Sequence, residues 1–176
     1  DNLNNTVKIA IPVGDKMIDV DVPMKVKMVA LKAAPGDPLP APKLLAPVCY
    51  IANRGESRVK VEITSFEDTT PSSGKEITLV NRQEGLSGNE MGLLIGPLAP
   101  SDPDYIGNFA TRNVLDGITP ATPLDMGIME PAASRTHGLN FTFYAVYDAE
   151  NIQPTRADGM TGRLSYRFTV VPAAAP

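Results

Sequence analysis

The clearest pattern in the chain is an alternation of apolar and polar residues near the N-terminus. Apolar side chains occupy every second position from Ile18 to Met28, with charged residues and one proline between them. A period of two predicts a β-strand with one buried face and one exposed face. Pro23 falls inside this run and lacks the N–H group that a central strand needs. We therefore expect an edge strand, or a strand that bulges or bends near Pro23 as it passes between two sheets.

A shorter alternation precedes this strand. Its apolar members are Val7, Ile9, Ile11 and Val13. Gly14-Asp15-Lys16 follows and supplies turn chemistry between the two runs. A tight turn would pair residues 7–13 with 17–24 as a hairpin, the first strand of its own domain. A hinge at Gly14 would instead make residues 1–14 a free arm, and the sequence leaves both readings open.

The remainder of the chain reads as short strands separated by turns. We predict strands near residues 48–52, 58–64, 76–80, 91–95, 105–109, 124–129, 139–147 and 164–170. Residues 34–47 predict an extended proline-rich crossing, and Asn53-Arg54-Gly55-Glu56 a hairpin turn. The fold class is therefore all-β, a single antiparallel β-sandwich, immunoglobulin-like or jelly-roll, of about 8–10 strands. We predict three segments: an N-terminal arm at 1–14, the sandwich domain at 15–171 and a flexible tail at 172–176.

The composition excludes several kinds of functional site and partner. The chain has 17 Pro, 14 Gly, one Cys, one His and a net charge of −4. One Cys excludes an internal disulfide and one His excludes a multi-His metal site, while the acidic balance argues against nucleic-acid binding. No apolar stretch approaches the roughly eighteen residues of a membrane span. Because the chain begins with Asp1, we expect a secreted or cell-surface protein whose signal peptide has been removed.

Candidate catalytic groups are few, and we predict that the chain is not an enzyme and binds no cofactor. His137 is the only imidazole, in a polar turn, and Cys49 lies in an apolar run typical of a buried, inert thiol. We predict no metal site; calcium, if bound, would have the loop carboxylates as ligands, namely Asp102, Asp104, Asp148 and Glu150. Sequons at Asn4 and Asn140 would permit N-glycosylation.

Three segments carry a resemblance to a class of surface proteins: the alternation Val7–Val13, the run Tyr50-Ile51-Ala52-Asn53-Arg54-Gly55, and the closing run Tyr166–Val170. In these the chain resembles the subunits of donor-strand fibres, which include chaperone–usher pilins and TasA/camelysin-type filaments. It departs from many pilins because one Cys cannot form their disulfide. The resemblance implies a structural subunit of an extracellular fibre, pilus or matrix.

Such a subunit would assemble head-to-tail into a homopolymer by β-strand addition. The apolar side chains of residues 7–13 would then fill a groove in the next copy. The alternative function is a monomeric surface binding module, an adhesin or a carbohydrate-binding domain. Its ligand, a host-surface or matrix component, would meet the loops at 97–137 and 148–161, with Tyr105 as the best exposed aromatic residue.

Overall fold

A computed structural model describes residues 4–13, 16–38, 41–74, 76–98, 105–107, 109–152 and 159–173, which contain no α-helix and one 3-10 turn, Ser72–Gly74. The strands are β1 (Asn4–Val13), β2 (Lys16–Leu31), β3 (Lys43–Leu45), β4 (Cys49–Asn53), β5 (Arg58–Asp68), β6 (Thr78–Leu79), β7 (Glu90–Pro97), β8 (Tyr105–Ile106), β9 (Arg112–Asn113), β10 (Leu124–Met129), β11 (Gly138–Tyr147) and β12 (Met160–Val171). The all-β prediction is confirmed.

The strands form one curled sheet in the order β10-β5-β12-β2-β4-β11-β7-β6. Strands β1 and β3 attach to β2, while β8 attaches to β11 and β9 to β7. Two of the pairings, β6 with β7 and β8 with β11, are parallel. The sheet is therefore mixed, and it differs in this respect from the purely antiparallel sandwich of about 8–10 strands that the turn spacing predicts.

Strand β2 changes its partner at the proline that interrupts its alternation. On one side its first half pairs with β4 through Asp21 and Ala52, and its second half pairs with β12 from Lys25 to Met28. Pro23 lies between these two contacts, where the missing N–H group leaves no ladder bond unmade. The pairing with β1 also shifts register here. The predicted irregularity near Pro23 is confirmed.

The predicted hairpin turn at residues 53–56 is wrong. Strand β4 pairs with β11 and β2, whereas β5 pairs with β12 and β10, so this segment carries the chain from one group of strands to the other. Asn53 is fully buried, and its Nδ2 donates to the carbonyls of Ser57 at 2.7 Å and Glu130 at 2.8 Å. The local bond to Ser57 and the long-range bond to Glu130, rather than a hairpin ladder, shape the segment.

A single hydrophobic core lies inside the curl of the sheet. Its centre combines Phe141 and Phe143 of β11 with the half-buried Phe66 of β5, and the Phe66 and Phe143 ring centroids are 6.0 Å apart. Met28 is buried in the core, Met24 packs partly against it, and the Cys49 side chain is fully buried, as the apolar patterns predict. None of the described residues belongs to a helix able to cross a membrane.

Candidate functional site

The candidate site is the outer edge of β1. This ten-residue strand pairs antiparallel with β2, from Val7 opposite Val22 to Val13 opposite Lys16. The structure thus shows the hairpin reading of the N-terminal pattern within one chain; residues 14 and 15 lie outside the described part. Among the described residues, no other strand pairs with β1. Its second edge is therefore open.

The direction of the main-chain groups on this edge follows from one hydrogen bond on the far side of β2. The Arg54 N–H donates to the carbonyl of Asp19 at 2.7 Å, so the main chain of Asp19 faces away from β1. Ala10 lies opposite Asp19. When one residue of a directly opposed antiparallel pair turns its main-chain groups away from its partner, the other residue does so as well, so the N–H and C=O of Ala10 point away from β2 to the open edge. By alternation Thr6, Lys8 and Pro12 also face outward. Pro12, which has no N–H, fits this position.

The apolar side chains of β1 share one face, as the alternation predicts. They lie on the core-facing side of the hairpin with Ile18 and Val20 of β2, which are buried. Val7 and Ile9 are half-buried, while Ile11 is 44% and Val13 43% exposed. The apolar face of the hairpin therefore continues beyond the end of the core and remains exposed to solvent.

The opposite face of the hairpin is charged. Lys8 lies across from Asp21, and Ala10 lies across from Asp19. Asp21 is buried, and its Oδ2 accepts a hydrogen bond from Arg54 Nε at 2.9 Å, while its Oδ1 has no hydrogen-bond partner among the described residues. A buried carboxylate oxygen without a partner favours a nearby cation. The sequence does not predict the pair of Arg54 and Asp21, because contacts between distant segments leave no local signal.

The other edges of the sheet are shorter or blocked. Strand β10 bulges at Gly127, whose N–H donates to Asp125 Oδ1 at 3.0 Å. Asp125 also accepts an ion pair from Lys60 at 3.0 Å. Strands β3 and β6 are three and two residues long. Bulges, charges, prolines and shortness are the usual means of protecting an edge. Strand β1 also carries Lys8, Pro12 and a register shift at Asn5/Thr6, but its ten-residue edge is the longest edge without a second strand partner in the described part of the chain.

An ion-pair network covers the outer face of β5 and contrasts with the open hairpin. The hydrogen bond from Arg167, at 2.6 Å, is the main reason that the pKa of Glu62 is lowered; Lys60 adds to the effect from 3.2 Å. Lys60 in turn has a raised pKa because it also binds Asp125. The charges on this face satisfy one another, which is typical of a solvated structural surface.

A groove of about 710 Å³ lies beside the hairpin, on the side of β2 away from β1. Met17, which is 54% exposed, and Asp19 form one wall. Across the groove Arg58 Nε contacts both carboxylate oxygens of Glu130 at 3.0 Å, and Arg58 Nη1 donates to the carbonyl of Pro172 at 2.9 Å. The first residues of the predicted tail therefore lie against the body of the protein.

A second feature is an aromatic cluster on the surface near β4, β8 and β11. The rings of Tyr50 and Tyr105 meet edge-to-face with centroids 4.9 Å apart, and the His137 ring lies 6.0 Å from Tyr105. Tyr50 is 41% exposed. His137 Nδ1 is 3.2 Å from the carbonyl of Ser134. The only imidazole thus belongs to a surface turn, and it has aromatic neighbours that the sequence did not reveal.

The remaining predicted residues are dispersed. Asn140 is only 2% exposed, which leaves no room for a glycan on the folded chain. The side chain of Asn4 lies outside the described residues, as do Asp102 and Asp104. Asp148 accepts a hydrogen bond from Asn151 Nδ2 at 2.8 Å, the main reason that its pKa is lowered. No three potential metal ligands come together in the described ranges.

Comparison of the chain with protein families, with curated proteins and with solved structures found no match in any of the three.

Proposed function

We propose that this chain is a structural subunit of an extracellular fibre or matrix, and that it self-associates by β-strand addition at β1. The observation that carries the proposal is the ten-residue open edge of β1, next to an apolar face that is partly exposed. An exposed edge of this length is a template for pairing with another chain.

The geometry favours addition at the outer edge over release of the arm. Residues 7–13 already lie on β2 of their own chain, so a free donor strand would first have to break this ladder. Edge addition leaves the ladder intact and uses main-chain groups that point outward. The apolar side chains Val7, Ile9, Ile11 and Val13 then contact a second copy along the shared face of the enlarged sheet.

The test replaces Ala10 by proline. Ala10→Pro removes an outward N–H and places a ring on the open edge, but it removes no bond to β2. We expect the dissociation constant for self-association to rise by at least about tenfold, with unchanged circular dichroism and urea midpoint. Ala10→Ser retains the N–H and is the matched control. Multi-angle light scattering and electron microscopy over a range of concentrations measure the effect.

Two results would overturn the proposal. One is a wild-type chain that stays monomeric at every concentration. The other is self-association that Ala10→Pro leaves unchanged, because the contact would then lie elsewhere. The comparison requires an Ala10→Pro chain with unchanged circular dichroism, because proline also restricts the backbone angle φ and can disturb a strand without removing a hydrogen bond.

A second candidate is a binding module for carbohydrate, favoured by the aromatic cluster of Tyr50, Tyr105 and His137. Sugar rings stack on exposed aromatic faces, and a single ring contributes about 1 kcal/mol. A glycan array followed by titration calorimetry tests this function. A glycan bound by the wild-type chain should bind several-fold more weakly to Tyr50→Ala, while Tyr144→Ala, an exposed tyrosine on β11, serves as the control.

A further inference from the structure

We infer, on the basis of the proposed function, that the outer edges of β1 from two copies pair antiparallel about a two-fold axis beside Ile9. The occupant of the open edge is thus the same strand of a second copy. Because such a two-fold contact closes into a dimer, a fibre would grow from these dimers through a second contact elsewhere on the chain. Head-to-tail addition, which the sequence predicts, would need a different edge as acceptor. Among the described strands β10 is bulged, and β6 and β3 are only two to three residues long. Residues Leu164–Val171 of β12 pair only with β5 and form a second free edge, so the choice of the two-fold contact rests on the self-complementarity of β1.

The apolar face selects this register. A two-fold axis beside Ile9 places Ile9 opposite Ile9 of the second copy and Val7 opposite Ile11 of the second copy. Every central position of the core-facing side is then apolar on both strands. A shift of the axis to Lys8 would place Ile11 opposite Asn5 of the second copy and leave it without an apolar partner. The chosen register covers Ile11, which is 44% exposed in the single chain.

The main-chain groups fit the same register. Lys8 faces Ala10 of the second copy, and Thr6 faces Pro12 of the second copy. The N–H groups of Thr6, Lys8 and Ala10 from each copy all find a carbonyl, which makes about six interchain hydrogen bonds. Pro12 needs to provide only its carbonyl. An axis at Ala10 would leave the N–H of Thr6 without an acceptor on the partner strand.

The charges on β1 and β2 also favour the register with the two-fold axis beside Ile9. An axis at Lys8 would place Lys8 directly against Lys8 of the second copy, which is destabilising. In the proposed register Lys8 lies between Asp21 of its own chain and the small Ala10 of the second copy. Asp19 of the second copy is two strand spacings from Lys8, about 10 Å. An extended lysine and an aspartate together span this distance, so each copy contributes one ion pair across the axis.

Cysteine crosslinking tests the register. Residues facing each other at a non-hydrogen-bonded antiparallel position have Cα atoms about 4.5 Å apart, within disulfide range. Under mild oxidation we expect Ile9→Cys to form a disulfide-linked dimer about ten times faster than Lys8→Cys. Val7→Cys and Ile11→Cys should crosslink readily only when the two variants are mixed. The wild-type chain, whose Cys49 is buried, is the background control.

The outcomes separate the register from the proposed function. Fast crosslinking of Ile9→Cys that disappears when Ala10→Pro is added supports the two-fold pairing. Faster crosslinking of Lys8→Cys than of Ile9→Cys overturns this register but keeps assembly through β1. Self-association by light scattering with slow crosslinking of both variants overturns the two-fold contact. A chain that is monomeric by light scattering overturns both the contact and the proposed function.

Discussion

Removal of the Tyr166 hydroxyl group should destabilise the fold at Pro23, where β2 changes its pairing partner. Tyr166 of β12 donates its phenolic hydrogen to the carbonyl of Pro23 at 2.5 Å, and Pro23 is buried. Tyr166→Phe removes this donor and leaves the carbonyl without it. A lost hydrogen bond together with a buried unsatisfied acceptor costs about 1–3 kcal/mol. We expect the free energy of unfolding, measured by urea denaturation at pH 7, to fall by this amount.

The same substitution should change the response to alkali. Burial raises the pKa of Tyr166 well above its usual 10.0. The unfolded chain therefore loses the phenolic proton first as the pH rises past 10, and the folded state becomes less stable. The wild-type free energy of unfolding should decline above pH 10 by up to about 1.4 kcal/mol per pH unit from this group. Tyr166→Phe should decline less steeply, so that the two stabilities converge at high pH.

Tyr144 offers a matched control, because its hydroxyl also donates to a proline carbonyl, that of Pro97 at 2.9 Å, but in an exposed position. Tyr144→Phe should lose less than about 1 kcal/mol, since water can replace the bond. If Tyr166→Phe had wild-type stability at pH 7, or kept the full alkaline decline, the Tyr166–Pro23 bond would not hold β2 and β12 together as described.

Two further predictions test other parts of the fold. Glu62→Gln should reduce the loss of stability in acid, because the lowered pKa of Glu62 stabilises the fold above pH 4.5 and this contribution is lost as the pH falls. The free energy of unfolding is measured by urea titration from pH 6 to 3. If its pH dependence were unchanged in Glu62→Gln, the pair with Arg167 would be unimportant. Gly92→Ala would place a Cβ atom 2.3 Å from the main-chain oxygen of Arg82 and should cost about 1–3 kcal/mol in thermal or urea unfolding. Gly55→Ala, with its nearest atom at 3.3 Å, should cost less, and equal losses would refute the steric explanation.

Local pattern was sufficient for the long strands. Period-two alternation identifies β2, β5, β11 and β12, and Pro23 marks the irregular point of β2, because side-chain burial and the missing N–H act within a few residues. The partners of these strands were not readable. Nothing near Asn53 shows that its amide bonds Glu130, and nothing near Tyr105 announces a parallel pairing with β11. Those contacts depend on how distant segments pack.

The candidate site was readable to the same extent. The alternation of Val7, Ile9, Ile11 and Val13 predicts one apolar face, and the structure places these residues on one face of β1. The sequence does not show whether the strand lies in its own sheet, because Gly14 is compatible with a turn and with a hinge. The outward direction of the Ala10 main chain required the bond between Arg54 and Asp19, which only the folded chain reveals.

The partner change in β2 also constrains the order in which the protein folds. The first hairpin is local and can form in microseconds once its residues are available. The second half of β2, however, pairs with β12, so Met28 cannot pair until Met160 has been synthesised. During synthesis the nascent chain therefore carries half of β2, and β5 as well, without their β12 partner until β12 itself has been made. Such late, non-local pairing slows folding and exposes strands to aggregation.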